Sequence, residues 1–90
     1  MVIFVKIIKI SALWCPACLI TNKAIDKFIS ENKDIELISL DYDFDEEVVK
    51  KYDVGTTLPV LIFEKDNKEL CRIIGEKNYD DIVKAVGELK

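Results

Sequence analysis

Histidine is absent from this 90-residue chain, which removes the commonest zinc partner and the commonest general base of protein active sites. Only two prolines and three glycines are present, and there is no internal repeat, linker or low-complexity stretch. Three cysteines are too few, and odd in number, for a secreted disulfide scaffold. No stretch is long enough to span a bilayer. The net charge is −4 and the basic residues are scattered, so no electrostatic footprint for nucleic acid or anionic lipid exists and neither partner is expected. What is present is ordinary globular material, half apolar and one third charged, sufficient for one hydrophobic core. A single domain over residues 1–90 is expected. The apolar opening, Met1 to Ile10, has the hydrophobicity of a signal peptide, but Lys6 and Lys9 interrupt it and a reactive motif follows at once. It is read as structure, and a cytoplasmic location follows.

Residues Val2 to Ile10, rich in Val, Ile and Phe, have the pattern of a central strand buried on both faces. Cys18, Thr21, Ile25, Phe28 and Ile29 recur at helical spacing and predict an amphipathic helix from about Pro16 to Glu31. Glu36 to Asp41 reads as a second strand, and the strand, helix, strand unit makes the two strands parallel. A second helix is expected near Asp45, capped by that side chain, with Val48, Val49 and Tyr52 facing inward. Leu58–Phe63 and Glu69–Ile74, separated by a polar turn, predict an antiparallel hairpin. Asn78 to Leu89 closes the chain as a helix with Ile82, Val83, Ala85, Val86 and Leu89 on its apolar stripe. The order βαβαββα specifies an α/β class with a four-stranded mixed sheet between helices.

Chemistry concentrates in Trp14-Cys15-Pro16-Ala17-Cys18. Two cysteines three residues apart at a helix start lie on one side of its first turn, within reach of a short disulfide. Cys15 faces unpaired backbone N–H groups and the positive end of the helix dipole, which favour a thiolate. It is the expected nucleophile. Pro16 fits the first helical position because its missing N–H would have had no intrahelical partner. Cys18, one turn deeper, suits the role of resolving thiol, attacking the mixed disulfide that Cys15 forms with a substrate. A rival reading is a non-catalytic soft-metal or thiol-binding module, since paired thiolates bind copper(I) or zinc. Zinc needs four ligands, and Cys71 is the one other thiol, so the set is incomplete without a carboxylate or a second chain. No metal and no cofactor beyond a redox-active Cys15–Cys18 disulfide is expected.

Over nearly its whole length the chain resembles the thioredoxin superfamily: in the Trp14–Cys18 motif, in Lys51-Tyr52-Asp53-Val54, in Leu58-Pro59 opening a strand, and in Gly75 ending the next. The resemblance implies a thioredoxin-like α/β/α sandwich and a protein disulfide oxidoreductase. It implies that Pro59 is a cis-proline facing the disulfide and leaves the backbone of Leu58 open to a substrate peptide. Trp14, by the same resemblance, shields the motif and with Pro16 and Ala17 offers a face to substrates. Read as bare residues, Pro59 could be an ordinary trans proline on an edge strand and Trp14 a core residue. The implied partners are protein disulfides and an electron donor, either a thioredoxin-reductase-like protein or glutathione in a glutaredoxin-like scheme; a monomer is expected.

The chain departs from the family pattern in four places, the first of which is expected of a minimal form. It starts directly at the central strand. Its inter-cysteine pair, Pro16-Ala17, is nearer the glutaredoxin pattern than the usual Gly-Pro. The segment from Tyr52 to Pro59 is one residue longer than usual. Six residues before Cys15, where thioredoxins carry a buried acid, stands Lys9, which either is buried with its charge available to a thiolate or snorkels to solvent. Two features are left as structure. Asp41 to Glu47 begins like a calcium loop, but Glu46 stands where glycine is needed and Tyr52 where a bidentate glutamate is needed, so helix capping explains the acids better. Cys71, in mid-strand, reads as a small buried side chain.

Overall fold

The computed structural model describes residues 6–66 and 68–88. The elements are β1 (Lys6–Ser11), α1 (Pro16–Glu31), β2 (Glu36–Asp41), α2 (Glu46–Lys50), β3 (Val60–Lys65), β4 (Lys68–Ile74) and α3 (Tyr79–Glu88), in the predicted order βαβαββα. Positions 2–5 of the first expected strand, and Leu89 of the last helix, lie outside the described residues. The sheet runs β2-β1-β3-β4, with β1 parallel to β2 and antiparallel to β3, and β3 antiparallel to β4. Among the described residues no helix is long and apolar enough to cross a membrane.

Side chains alternate across each strand, so β1 and β3 feed two cores. On one face Ile7, Leu61 and Phe63 pack against Ala24, Ile25 and Phe28 of α1 and Ile82 and Val86 of α3. On the other, Ile8, Ile10, Val60 and Ile62 join Val49 of α2, with Cys15 and Cys18 at one end. Helices thus cover both faces. Burying a side chain such as Ile25 or Phe28 contributes about 1.5–3 kcal/mol over leaving it exposed, which is why α1 turns that stripe inward and leaves Lys23, Asp26 and Lys27 outside.

Several boundaries differ from the sequence expectation. β3 begins at Val60 and not Leu58, since Pro59 has no N–H to give a ladder. Val48 and Val83 are exposed: α2 is one short turn that buries Val49 alone, and α3 buries the Ile82–Val86 pair four apart. Tyr52 lies past the end of α2. Asp45 occupies the α2 cap position without capping it; its carboxylate turns back to accept the Asp41 N–H at 2.8 Å. Gly75 ends β4 at φ +94°, a left-handed conformation that glycine adopts without steric cost, and this lets its N–H reach the Pro59 carbonyl at 2.8 Å.

Candidate active site

Where β1 ends, the chain passes through Ala12, Leu13 and Trp14 and starts α1, placing Cys15 at the N-cap with extended backbone (φ −99°, ψ 107°) and Pro16 at the first helical position. An N-cap side chain is the natural acceptor for the unpaired N–H groups of the first turn. Here the acceptor is sulfur: Cys15 Sγ receives the backbone N–H of Cys18 at 3.3 Å. Sulfur placed there is turned toward the positive end of α1.

Both thiols are reduced and buried, Cys15 at 7% exposure and Cys18 at 1%. Burial, followed by the hydrogen bond to Cys15, pushes the Cys18 thiol up to about 11, against the opposing pull of the Ala12 backbone and the charge of Lys9. Cys18 therefore keeps its proton at neutral pH and offers it to Cys15. The two sulfurs are thus in different states before any substrate arrives: one accepts hydrogen bonds at the helix end, the other donates from the interior.

Around them the expected substrate-facing residues divide into two sets. Trp14 is 60% exposed and is not a core residue; Pro16 is exposed and Ala17 half-buried. Leu58 and Pro59 are buried, and the bond between them is cis. Among the described residues neither the N–H nor the C=O of Leu58 engages a backbone partner, whereas the Pro59 carbonyl is taken by Gly75. Leu58 thus has open backbone groups and Trp14 an exposed side chain. Among the described residues no three Cys, Asp or Glu side chains gather in a metal-binding arrangement.

Two residues here escape a reading of the sequence. The Asp43 carboxylate accepts the Trp14 indole N–H at 2.6 Å, and the Trp14 ring meets Tyr42 edge-on, centroids 6.3 Å apart. Asp41 presents this loop by accepting the N–H groups of Asp43 and Phe44, an Asx-type turn. Of the acidic run, Glu46 and Glu47 lie in the first turn of α2, where the helix dipole favours acids, though no side chain of the run caps that helix; Asp43 escapes such a reading, because no local signal links it to a tryptophan 29 positions earlier. The second is Lys9, a conspicuous oddity in the sequence whose placement the sequence left open: it is buried at 8% exposure and does not snorkel freely.

A protein-family model described as Thioredoxin matches residues 4–88. The chain is 33% identical over 84 residues to thioredoxin H2 of Arabidopsis thaliana, covering 93% of this chain and 62% of the relative. It is 36% identical over 64 residues to thioredoxin-2 of Saccharomyces cerevisiae, covering 71% and 61%. The chain thus spans less than two thirds of the length of these curated relatives. Among solved structures, that of Fasciola hepatica thioredoxin superposes with a TM-score of 0.84 at 28% identity, over 94% of this chain and 80% of the other.

Proposed function

Because this chain belongs to the thioredoxin family, we propose that it is a thiol–disulfide oxidoreductase that reduces protein disulfides through Cys15 and Cys18. The observation that carries this reading is the asymmetry of the pair: Cys15 Sγ accepts an N–H at the helix cap while Cys18 is held protonated by burial. The Cys15 thiolate attacks one sulfur of the substrate disulfide. A Cys15–substrate bond forms, the substrate S–S bond breaks, and the expelled thiolate takes a proton. Cys18, once deprotonated, attacks Cys15 Sγ, closing the Cys15–Cys18 disulfide and releasing the second substrate thiol. Two electrons pass from the dithiol to the substrate, and a thioredoxin-reductase-like protein or glutathione returns them.

Substrate binding uses Leu58, whose open N–H and C=O suit an extended peptide laid beside the disulfide as an added strand. The exposed apolar surface of Leu13 and Trp14, with Pro16 and Ala17, receives the residues flanking the substrate cysteine. Such a couple works where thiols are kept reduced, which favours the cytoplasm, and the domain acts as a monomer without a further cofactor.

Insulin disulfide reduction with dithiothreitol tests the reading. The wild-type chain should accelerate precipitation of the insulin B chain and Cys15→Ser should not. Cys18→Ser should hold substrates as mixed disulfides that dithiothreitol releases. Equal rates for wild type and Cys15→Ser would overturn it.

A further inference from the structure

A cavity of about 370 Å³ opens beside the motif, within the range of roughly 300–1,000 Å³ typical of ligand sites. Its floor is Val49, buried in the same packed cluster as Cys15 and Cys18, and its walls are Tyr42 and Val54, half-buried against that cluster. Its rim is exposed and polar: the carboxylates of Asp43, Glu46 and Asp53 stand there with one ammonium, that of Lys50. Two of these residues also hold Trp14, Tyr42 by an edge-on ring contact and Asp43 by accepting the indole N–H, so the cavity begins at the residue that precedes the nucleophile. The rim charges do not cancel. Lys50 pairs with Glu46 at 3.3 Å, while the donor that Asp43 accepts from is a neutral indole, which leaves that carboxylate's charge uncompensated. Arg72, whose charge bears on Asp53, is committed to Glu69 through two hydrogen bonds of 2.6 Å. The three carboxylates do not converge on a point as the ligands of a metal ion must. They stand apart above an apolar floor, which suits an elongated organic cation.

We propose that this cavity is a specificity subsite for a basic side chain of the substrate polypeptide, arginine above lysine, placed close in sequence to the reacting cysteine. The proposal rests on the oxidoreductase reading above and adds to it a preference among protein disulfides. A basic side chain matches both halves of the cavity. Its methylene stem lies along Tyr42, Val49 and Val54 while its charged head stays at the wet rim, where Asp43 and Asp53 accept its hydrogen bonds. Arginine is favoured because its planar fork of donors can serve carboxylates that stand apart, and its guanidinium can stack on the Tyr42 ring. An acidic side chain at the same place would meet an excess of like charge, with Lys50 already held by Glu46, so the subsite rejects as well as selects. Occupancy steers encounter and holds the substrate beside Trp14; the exchange of thiol and disulfide bonds is unaltered. Because the rim is exposed, the preference is electrostatic and weakens with salt.

The test uses the reduced full-length chain and a set of short peptides, each with one cysteine held as a mixed disulfide with nitrothiobenzoate and one arginine moved in turn through the positions flanking it. Every peptide has a twin in which citrulline, the same shape without the charge, replaces arginine. Cys15 attack on the peptide sulfur releases coloured nitrothiobenzoate; Cys18 then attacks Cys15 Sγ, closing the disulfide and releasing the peptide thiol. At low ionic strength arginine at the favoured position should raise the second-order rate about threefold or more over citrulline. In about 1 M salt, where the screening length is about 3 Å, the difference should vanish. Asp43→Asn and Asp53→Asn should each lower the arginine-to-citrulline ratio. Asparagine keeps an acceptor for the indole at the first position and tolerates the left-handed φ of 51° at the second, so both variants should fold, and the peptide comparison on the wild-type chain needs neither. Asp26→Asn, at an exposed acid of α1 outside the cavity, should leave the ratio unchanged. Equal rates for arginine and citrulline at every position, a ratio unmoved by both cavity variants, or one lowered as far by Asp26→Asn would overturn the subsite. Should the wild-type chain release no peptide thiol and form no Cys15–Cys18 disulfide with any peptide, the oxidoreductase reading fails, a result distinct from failure of the subsite.

Discussion

The indole N–H of Trp14 donates to the Asp43 carboxylate at 2.6 Å, so the residue immediately before Cys15 is fastened to the loop that follows β2. The bond is exposed, where even a charge-assisted contact contributes modestly. Its effect is on the orientation of the indole, which is 60% exposed and would otherwise sample several rotamers. Asp43→Ala should change stability by less than about 1 kcal/mol. The same substitution should lower the steady-state fluorescence anisotropy of Trp14, the sole tryptophan, and raise the KM for insulin without matching loss of kcat. Unchanged anisotropy would show that the carboxylate does not hold the ring.

Burial, and then the hydrogen bond to Cys15, raises Cys18 to about 11 in the folded reduced protein, whereas an unfolded cysteine ionises near about 8.5. A raised folded value means that the folded state holds its proton longer than the unfolded state does. The contribution is full below the unfolded value and is lost as pH rises through the folded one. The reduced protein should therefore lose stability progressively from about pH 8.5 to about 11. The oxidised protein has no Cys18 thiol to ionise and should lack this component. Urea midpoints of both forms at neutral and alkaline pH measure it; parallel curves would contradict the burial of Cys18 as its cause.

Thr21 is fully buried, and its hydroxyl accepts the Lys77 N–H at 2.8 Å, a contact between residues 56 apart in the chain. Thr21→Val fills the same volume but leaves that N–H without its acceptor, which should cost about 1–3 kcal/mol. Thr21→Ser keeps the acceptor and loses one methyl group, at about 1 kcal/mol. Chemical denaturation of the two variants side by side distinguishes them, and a valine variant as stable as wild type would mean that water replaces the bond.

Ile82 of α3 is fully buried against β1, β3 and α1. Ile82→Ala removes transfer energy and leaves a cavity, at about 2–5 kcal/mol. A domain of this length has on the order of 5–15 kcal/mol in total, so the variant should fold with a clearly lowered denaturation midpoint. The neighbouring Val83→Ala, on the exposed side of the same helix, should change little.

These contrasts show where sequence reading succeeds. The strands and α1 were legible because period-two and 3.6-residue patterns persist over whole elements, and Cys15, Pro16 and Cys18 were legible because the cap geometry needs only four consecutive residues. Val48 and Val83 were misplaced because a short helix, or the rim of a longer one, buries fewer positions than its apolar residues suggest. Asp43 beside Trp14, Thr21 beneath Lys77 and the burial of Lys9 depend on packing between distant segments, and periodicity carries no information about them. The cis bond at Pro59 was implied by family resemblance alone.

The closeness in sequence of Cys15 and Cys18 has a consequence for the economy of the cycle. Closing a ring of four residues restricts the unfolded chain little, about 2 kcal/mol in the loop-entropy account against nearly 5 for a ring of a hundred. Opening and closing this link would therefore shift the stability of the fold much less than making or breaking a long-range crosslink would. Under the proposed activity the domain would act as a reversible two-electron valve whose set point depends more on what surrounds the two sulfurs than on ring closure.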